Sequence, residues 1–215
     1  MLLIALEGID GAGKTTTAAL LTKQLAERGY SVTSTNKRDT AVQNPFAQQQ
    51  IQAVGERLWG VPHDARLSTV GSLHWVYLNA AYFAATHHAL SSELPGQHVA
   101  VMDNWIYKLI ARMASNGEFQ LDEMLTMISP LPQPNVVIML DVPPKVAVQR
   151  RDFSYAEHGL LAARHNTFES FQAVVRGNLL RMASYYDWDV IVPGDADADE
   201  VASEIVSIIE RRFLA

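Results

Sequence analysis

Short apolar runs alternate along the chain with longer segments in which apolar residues recur every three or four positions. The short runs are rich in β-branched side chains and are bounded by turn or charged residues, which is typical of strands. They occupy residues 2–6, 31–35, 98–102, 135–141 and 189–192. Regular alternation of strands with helices predicts an α/β fold, in which a parallel sheet is covered by helices on both faces.

The longer segments predict helices at residues 14–28, 44–58, 66–92, 104–115, 121–128, 143–150, 168–186 and 197–213. The third of these is apolar nearly all round between residues 73 and 85, and a helix of that kind is buried on every face. One side can pack on the sheet, so the other side needs a second subunit or a ligand. No internal repeat divides the 215 residues, and a single domain spanning residues 1–215 is expected.

The segment after the first strand carries a more specific pattern. Residues 8–15 are GIDGAGKT and fit G-x-x-x-x-G-K-[ST], whose glycines let backbone N–H groups face a phosphate. Lys14 can reach the β- and γ-phosphates of ATP, and the Thr15 hydroxyl can hold Mg²⁺. The alternative is a glycine-rich turn that binds nothing. The predicted nucleotide site comprises Gly8, Asp10, Gly11, Ala12, Gly13, Lys14, Thr15 and Thr16.

Charged residues after the second and third strands are further candidates. Asp103 follows a hydrophobic strand, as the carboxylate that orients Mg²⁺ does in P-loop enzymes; the alternative is the N-cap of a helix. Lys108 and Arg112 are four residues apart on one predicted helix face, where like charges repel unless an anion lies between them. Arg38, after the second strand, is a third candidate contact for an acceptor phosphate, or else a solvated surface charge.

Composition narrows the class of partner. The chain is 48% hydrophobic and 19% charged, as in soluble globular proteins, and its formal net charge of −6 argues against a general nucleic-acid surface. It has no cysteine, which excludes disulfides and thiolate metal sites. No apolar run approaches the ~20 residues that span a membrane, and no signal peptide is evident, so a cytoplasmic protein acting on small molecules is expected.

Residues 6–16, LEGIDGAGKTT, resemble the opening of thymidylate kinases, whose P-loop follows EG-[IVL]-[DE]-G-[AS]-GK-[ST]-T. Weaker similarity extends over nearly the whole chain. It covers the family's arginine loop at Arg38 and Thr40, its D-R-[YFW] motif at residues 103–105, its L-D-V-x-P…R segment at residues 140–143 with Arg150, and its F-x-x-V-R helix at Phe171 and Arg176.

The resemblance implies a P-loop NTPase fold with a five-stranded parallel sheet and a lid at about residues 150–165. It implies transfer of the γ-phosphoryl group of ATP to dTMP with Mg²⁺, in a homodimer formed through long helices. Asp10 would be the carboxylate near the acceptor sugar, and Asp103 the acid of D-R-[YFW]. Family members without a basic residue in the P-loop supply a catalytic arginine from the lid, which points to Arg150 and Arg151.

Two departures put the acceptor in question. Asn104 replaces the arginine that clamps the acceptor phosphate in the family, and Lys108 and Arg112 are the candidates to restore its charge. No arginine lies between residues 66 and 112 to contact the thymine edge, so Tyr82 and Phe83 offer only stacking surface. The resemblance makes dTMP the leading acceptor. The two departures leave two alternatives, which are a kinase for a modified or non-thymine nucleotide and a non-catalytic P-loop protein.

The P-loop motif generates the first prediction. Lys14→Ala is expected to lower kcat for phosphoryl transfer by about 10²-fold or more, because the ammonium stabilises charge that develops in the transition state. The fold should remain intact. ADP formation and thermal unfolding measured on the same preparation test this, and activity within a few-fold of wild type would contradict a kinase.

Overall fold

The computed structural model of the chain describes residues 1–36, 39–61, 67–115, 117–150 and 167–214. Within these ranges the strands are β1 (Leu2–Glu7), β2 (Val32–Thr35), β3 (Val99–Met102), β4 (Val136–Leu140) and β5 (Asp189–Ile191). The helices are α1 (Lys14–Glu27), α2 (Pro45–Trp59), α3 (Gly71–Glu93), α4 (Tyr107–Ser115), α5 (Leu121–Ile128), α6 (Pro144–Ala147), α7 (Phe168–Tyr186) and α8 (Ala198–Ile209).

The five strands form one sheet in the order β2-β3-β1-β4-β5, and each neighbouring pair is parallel. Ile4 on the central strand β1 pairs with Val101 on one side and with Val136 on the other. The connection from β1 runs to β2 on one side, whereas the connection from its neighbour β3 runs to β4 on the other side. Open α/β sheets bind ligands in the crevice at the carboxyl ends of two such strands. The P-loop therefore lies at the sheet's ligand-binding edge. The predicted α/β fold with a five-stranded parallel sheet is confirmed.

Burial explains why the inner strands, among them β1 and β4, are strongly apolar. Residues 3–7 of β1 and all of β4 are buried, as expected where helices cover both faces of a parallel sheet. The helices pack in pairs: α1 contacts α8, α4 contacts α7, and α2 contacts α3. The core between them holds Trp105, Tyr107 and Phe171, all nearly inaccessible to solvent.

Several predicted helix boundaries are wrong: α3 begins at Gly71 rather than at residue 66, α8 ends at Ile209 rather than at residue 213, and two others are explained by specific contacts. Helix α4 begins at Tyr107 rather than at residue 104, because the backbone N–H of Trp105 donates to the carboxylate of Glu7 and the Asn104 side chain donates to the carbonyl of Trp105. Helix α6 stops at Ala147 rather than at residue 150, because the N–H groups of Gln149 and Arg150 donate to carbonyls three residues back. Such bonds tighten a helix into its last turn.

Helix α3 is buried on one side only in the isolated chain. Val76, Tyr82 and Phe83 are buried, whereas Leu73 is 38% and Tyr77 57% exposed. Burial on every face, predicted from its apolar composition, is thus not reached within one chain. In the part of the chain that the structure describes, no helix has the length and apolarity needed to cross a membrane.

The approach of β1 to β4 generates a prediction about stability. Gly8 has φ +147°, and a Cβ there would lie 2.7 Å from the carbonyl oxygen of Leu140. Gly8→Ala should lower the free energy of unfolding by about 3 kcal/mol, since backbone strain and overpacking each cost 1–3 kcal/mol. Gly29→Ala is the matched control: its φ is also positive, at +88°, but nothing lies within 4 Å of the added Cβ, and a loss of about 1 kcal/mol is expected. Equal losses in denaturant unfolding would contradict the close approach.

Candidate active site

The P-loop holds its lysine against its own backbone. Gly13 occupies the N-cap of α1 in a left-handed conformation, with φ 98°, so that Lys14 can start the helix directly after the loop. The Lys14 ammonium donates to the carbonyls of Gly8 at 3.0 Å and Ile9 at 2.7 Å. Burial and the ammonium of Lys108 lower the pKa of Lys14 to about 8. A cation held over the loop in this way is placed to meet phosphate groups.

Thr15 and Asp103 meet between the P-loop and the end of β3. The Thr15 hydroxyl donates to Oδ2 of Asp103 at 2.7 Å. Asp103 lies four residues before the first residue of α4, so it is not the N-cap of that helix. Two oxygen groups side by side suit a hard cation such as Mg²⁺, which takes few protein ligands when phosphate oxygens complete its shell. Accordingly, the described residues contain no group of three or more carboxylates or histidines arranged for a metal.

A second cluster surrounds the Asp10 carboxylate. Lys108 donates to Oδ1 of Asp10 at 2.9 Å, and a guanidinium nitrogen of Arg112 lies 3.7 Å from Oδ2. Burial alone would raise the pKa of Asp10, but these two cations and Lys14 lower it well below its ordinary value. Three residues predicted separately from sequence are therefore brought together as one charged group.

Gln172 on α7 completes this cluster and was missed by the sequence analysis. Its amide nitrogen donates to Oδ2 of Asp10 at 3.0 Å, and its amide oxygen accepts from the Asp10 backbone N–H at 3.3 Å. The only sequence signal is its place next to Phe171 on the buried stripe of the helix. Gln172 is a polar residue at a buried position, and its partner Asp10 lies 162 residues away in the chain. Local periodicity cannot indicate a partner that distant.

Glu7, the last residue of β1, is a buried acid that the sequence analysis also missed. It is fully buried, and one oxygen accepts from the Trp105 backbone N–H at 3.0 Å. Burial raises the pKa of Glu7 to about 8, against the opposing influence of the ammonium groups of Lys14 and Lys108. Burial thus favours the protonated form of Glu7, and its contact with Trp105 links β1 to the segment that follows β3.

One of the two predicted catalytic arginines lies over the P-loop. Arg150 donates to the carbonyl of Gly11 at 3.0 Å. Residues 151–166, which include Arg151 and all of the predicted lid except Arg150, lie outside the described residues, and so does Arg38. Behind Arg150, Arg176 forms a two-point ion pair with Asp141, at 2.5 and 2.8 Å, which joins α7 to the end of β4.

The residues predicted to contact the base form a separate aromatic layer. Tyr82 packs edge-on against Trp59, with ring centroids 4.7 Å apart, and Phe83 lies 4.8 Å from Trp105. Asn104 donates to the carbonyl of Trp105 at 2.6 Å. Tyr82 and Phe83 are therefore buried against neighbouring rings rather than exposed as stacking surface.

A small cavity of about 160 Å³ lies elsewhere, lined by residues at the amino ends of β4 and β5, by Tyr107 and Trp188, and by residues that follow α8. Its lining includes none of the candidate site residues. The chemistry is instead concentrated at the carboxyl edge of the sheet, where Asp10, Lys14 and Asp103 lie.

The shifted pKa of Glu7 generates a prediction about pH. The ordinary value is 4.5, so between about pH 4.5 and 8 the folded chain holds a proton that the unfolded chain has lost. Stability should therefore fall as pH rises through this window, by at most about 1.4 kcal/mol per pH unit from this group. Glu7→Gln should remove that slope and become more stable than wild type at pH 8.

Denaturant unfolding at pH 5, 6.5 and 8 measures this slope. Glu27→Gln is the control, because the Glu27 side chain is 62% exposed and the slope should persist in that variant. An unchanged slope in Glu7→Gln would show that Glu7 is ionised in the folded chain.

With this geometry in place, sequence comparison adds independent information. The family model described as Thymidylate kinase matches residues 6–57. The probable thymidylate kinase of Thermococcus onnurineus is 25% identical over 98% of this chain and 98% of its own length. The probable thymidylate kinase of Pyrococcus abyssi is 28% identical over 98% of this chain and 97% of its own length. The thymidylate kinase of Xanthomonas oryzae pv. oryzae is 26% identical over 97% of this chain and 82% of its own length.

Structural comparison agrees on the fold. The solved structure of the thymidylate kinase from Candida albicans matches with a TM-score of 0.67 at 21% identity, over 98% of this chain and 91% of that chain. The matched family model covers the P-loop, whose lysine and threonine lie in the crevice described above. In its P-loop, in the order of its elements and over its full length, the chain is thus similar to thymidylate kinases.

Proposed function

We propose that the chain transfers the γ-phosphoryl group of ATP to a nucleoside monophosphate, with dTMP as the leading acceptor, to form ADP and dTDP. The observation that carries this proposal is the placement of two charged clusters side by side at the carboxyl edge of the sheet. The P-loop with Asp103 suits ATP, and Asp10 with Lys108 and Arg112 suits a second phosphate. The names of the full-length relatives support dTMP as that acceptor.

On the ATP side, Thr15 and Asp103 would hold Mg²⁺, which when bound neutralises phosphate charge. Lys14 already lies inside the loop and needs only to exchange carbonyl partners for phosphate oxygens. Arg150 contacts the same loop and can stabilise charge on the transferring group. The neighbouring Arg151 remains a second candidate for that role.

On the acceptor side, the reaction needs cations and no general base. The attacking group is a phosphate oxygen that is already ionised at neutral pH, so no proton needs to be removed, whereas two phosphate anions must be brought together. Lys108 and Arg112 place two positive charges against the single carboxylate of Asp10. The excess positive charge would supply what the neutral Asn104 lacks, and Arg38 is a further candidate contact for the acceptor phosphate.

The test of this function is a panel of dTMP, dUMP and dCMP assayed with Mg-ATP. Weak discrimination is expected, because no arginine lies between residues 66 and 112 to contact the base edge, and the buried rings of Tyr82 and Phe83 carry no guanidinium to replace it. A preference for dTMP above about a thousandfold, roughly 4 kcal/mol, would show that another residue contacts the base. No dependence of ADP formation on any nucleotide acceptor would favour a non-catalytic or hydrolytic P-loop protein.

A homodimer is part of the same proposal. Val70, Leu73 and Tyr77 leave an exposed apolar surface along α3, and a twofold partner would cover it with the same surface of a second chain. Sedimentation at micromolar concentration should therefore give the mass of two chains. A monomer at that concentration would contradict this arrangement.

The acceptor cluster generates the last prediction of this section. Lys108→Ala should raise the acceptor KM at least tenfold, about 1.4 kcal/mol, because it removes one of two cations from a largely buried site. The ATP KM should change little, and Arg38→Ala is expected to act in the same direction. Lys23→Ala is the control, since Lys23 is an exposed lysine on α1 that pairs with Glu27. Equal effects of Lys108→Ala on both substrates would contradict its assignment to the acceptor.

A further inference from the structure

The small cavity at the amino ends of β4 and β5, here called the amino-edge cavity, has the chemistry of a binding site that phosphoryl transfer does not use. We infer that it binds a small organic cation of the ammonium type. Its lining combines aromatic rings with a carboxylate whose charge is not offset by a neighbouring cation among the described residues. The inference does not depend on the proposed function, because the lining includes none of the residues assigned to ATP or to the acceptor.

Three aromatic side chains line the amino-edge cavity close to one another. The ring centroids of Tyr107 and Trp188 are 4.7 Å apart, and the centroid of the Tyr186 ring lies 6.0 Å from each of them. Tyr186 and Trp188 are nearly parallel, with 12° between their planes, whereas Tyr107 is inclined to them by 40° and 52°. Because the centroids lie this close together, one cationic group can be within about 6 Å of all three rings, which is the range of cation–π attraction.

The cavity connects solvent with a buried aromatic surface. Tyr107 is 1% exposed, whereas Tyr186 and Phe213, which also line the cavity, are 37% and 43% exposed. The volume is about 160 Å³, and an apolar cavity of about 150 Å³ is known to hold benzene. A trimethylammonium group has fewer heavy atoms than benzene. The amino-edge cavity therefore has room for the head of a small ammonium compound.

The charges in the lining favour a cation over an anion. The lining contains two carboxylates, Asp187 and Asp189, and one cation, Arg212. Arg212 donates to Asp189 at 2.9 Å, so these two charges offset each other. Among the residues that the structure describes, Asp187 forms no ion pair, which leaves one negative charge beside the rings. A carboxylate next to aromatic rings is complementary to an ammonium group, since both attract positive charge.

The backbone at the end of α7 places this carboxylate between two of the rings in the chain. Asp187 is the C-cap of α7, in a left-handed conformation with φ 54°, and its neighbours are Tyr186 and Trp188. The N–H of Trp188 donates to the carbonyl of Ala183 at 2.9 Å and so closes the last turn of the helix. Aspartate and asparagine adopt positive φ more readily than other side chains do. Asp187→Asn therefore removes the charge with little disturbance of this turn.

Calorimetric titration with two probes of the same shape tests the role of charge. Choline carries a quaternary ammonium group, and its neutral isostere dimethylbutanol has a carbon atom in place of the nitrogen. Choline should bind to the wild-type chain with a Kd below about 10 mM, and the neutral alcohol should bind at least tenfold more weakly. Choline binding weaker than about 10 mM would overturn the inference, and so would binding of the alcohol within tenfold of choline.

Two variants test whether choline binds in the amino-edge cavity. Asp187→Asn and Trp188→Leu should each weaken choline binding at least threefold, with thermal unfolding measured on the same preparations. If Trp188→Leu does not fold, Asp187→Asn alone decides the outcome. Less than threefold weakening in a folded variant would overturn the inference.

Asp122→Asn is the matched control, because it changes the net charge by the same amount at a position outside the cavity. The Asp122 side chain lies on α5 and is 86% exposed. Its replacement should leave the choline affinity within twofold of wild type. Equal weakening in Asp122→Asn and Asp187→Asn would overturn the inference, because the cation would then be attracted only by the overall negative charge of the protein.

Discussion

The buried carboxylate of Asp10 is the interaction on which the rest of the site depends. It lies in the P-loop, yet its partners come from α4 and α7: Lys108 and Arg112 as cations and Gln172 as a neutral amide. A lone buried charge would destabilise the fold, whereas a paired and hydrogen-bonded one holds the loop to two helices. The same pairing places two cations beside the P-loop, so the contacts that stabilise the fold are also the ones proposed to bind the acceptor.

The other buried ionisable groups of the site are arranged so that charge repulsion and the free-energy cost of burying a charge are both small. Burial raises the pKa of Glu7 and so favours its neutral form, and one of its oxygens accepts from the backbone of Trp105. Lys14 is held by two carbonyls rather than by a carboxylate, so no strong ion pair has to be broken when phosphate arrives. Preorganised groups of this kind need little rearrangement during reaction.

Local patterns in the sequence were sufficient for the elements and for the P-loop. β1, the glycine loop and Asp103 could be predicted because a buried strand, a phosphate cradle and a strand-end acid each leave a contiguous signal. Glu7 and Gln172 could not, because each is a polar residue at a core position whose partner is distant in the chain. The late start of α4 follows from the same cause, since the contact of Glu7 with Trp105 holds the segment before the helix out of helical geometry.

The most direct measurement of the central claim is the fate of the γ-phosphoryl group, followed by ³¹P NMR in a mixture of the protein, Mg-ATP and dTMP. The account predicts that ADP and dTDP appear in equal amounts, and that neither accumulates when dTMP is omitted. Formation of ADP and inorganic phosphate at the same rate with and without dTMP would contradict it, because the cationic cluster around Asp10 would then bind no acceptor.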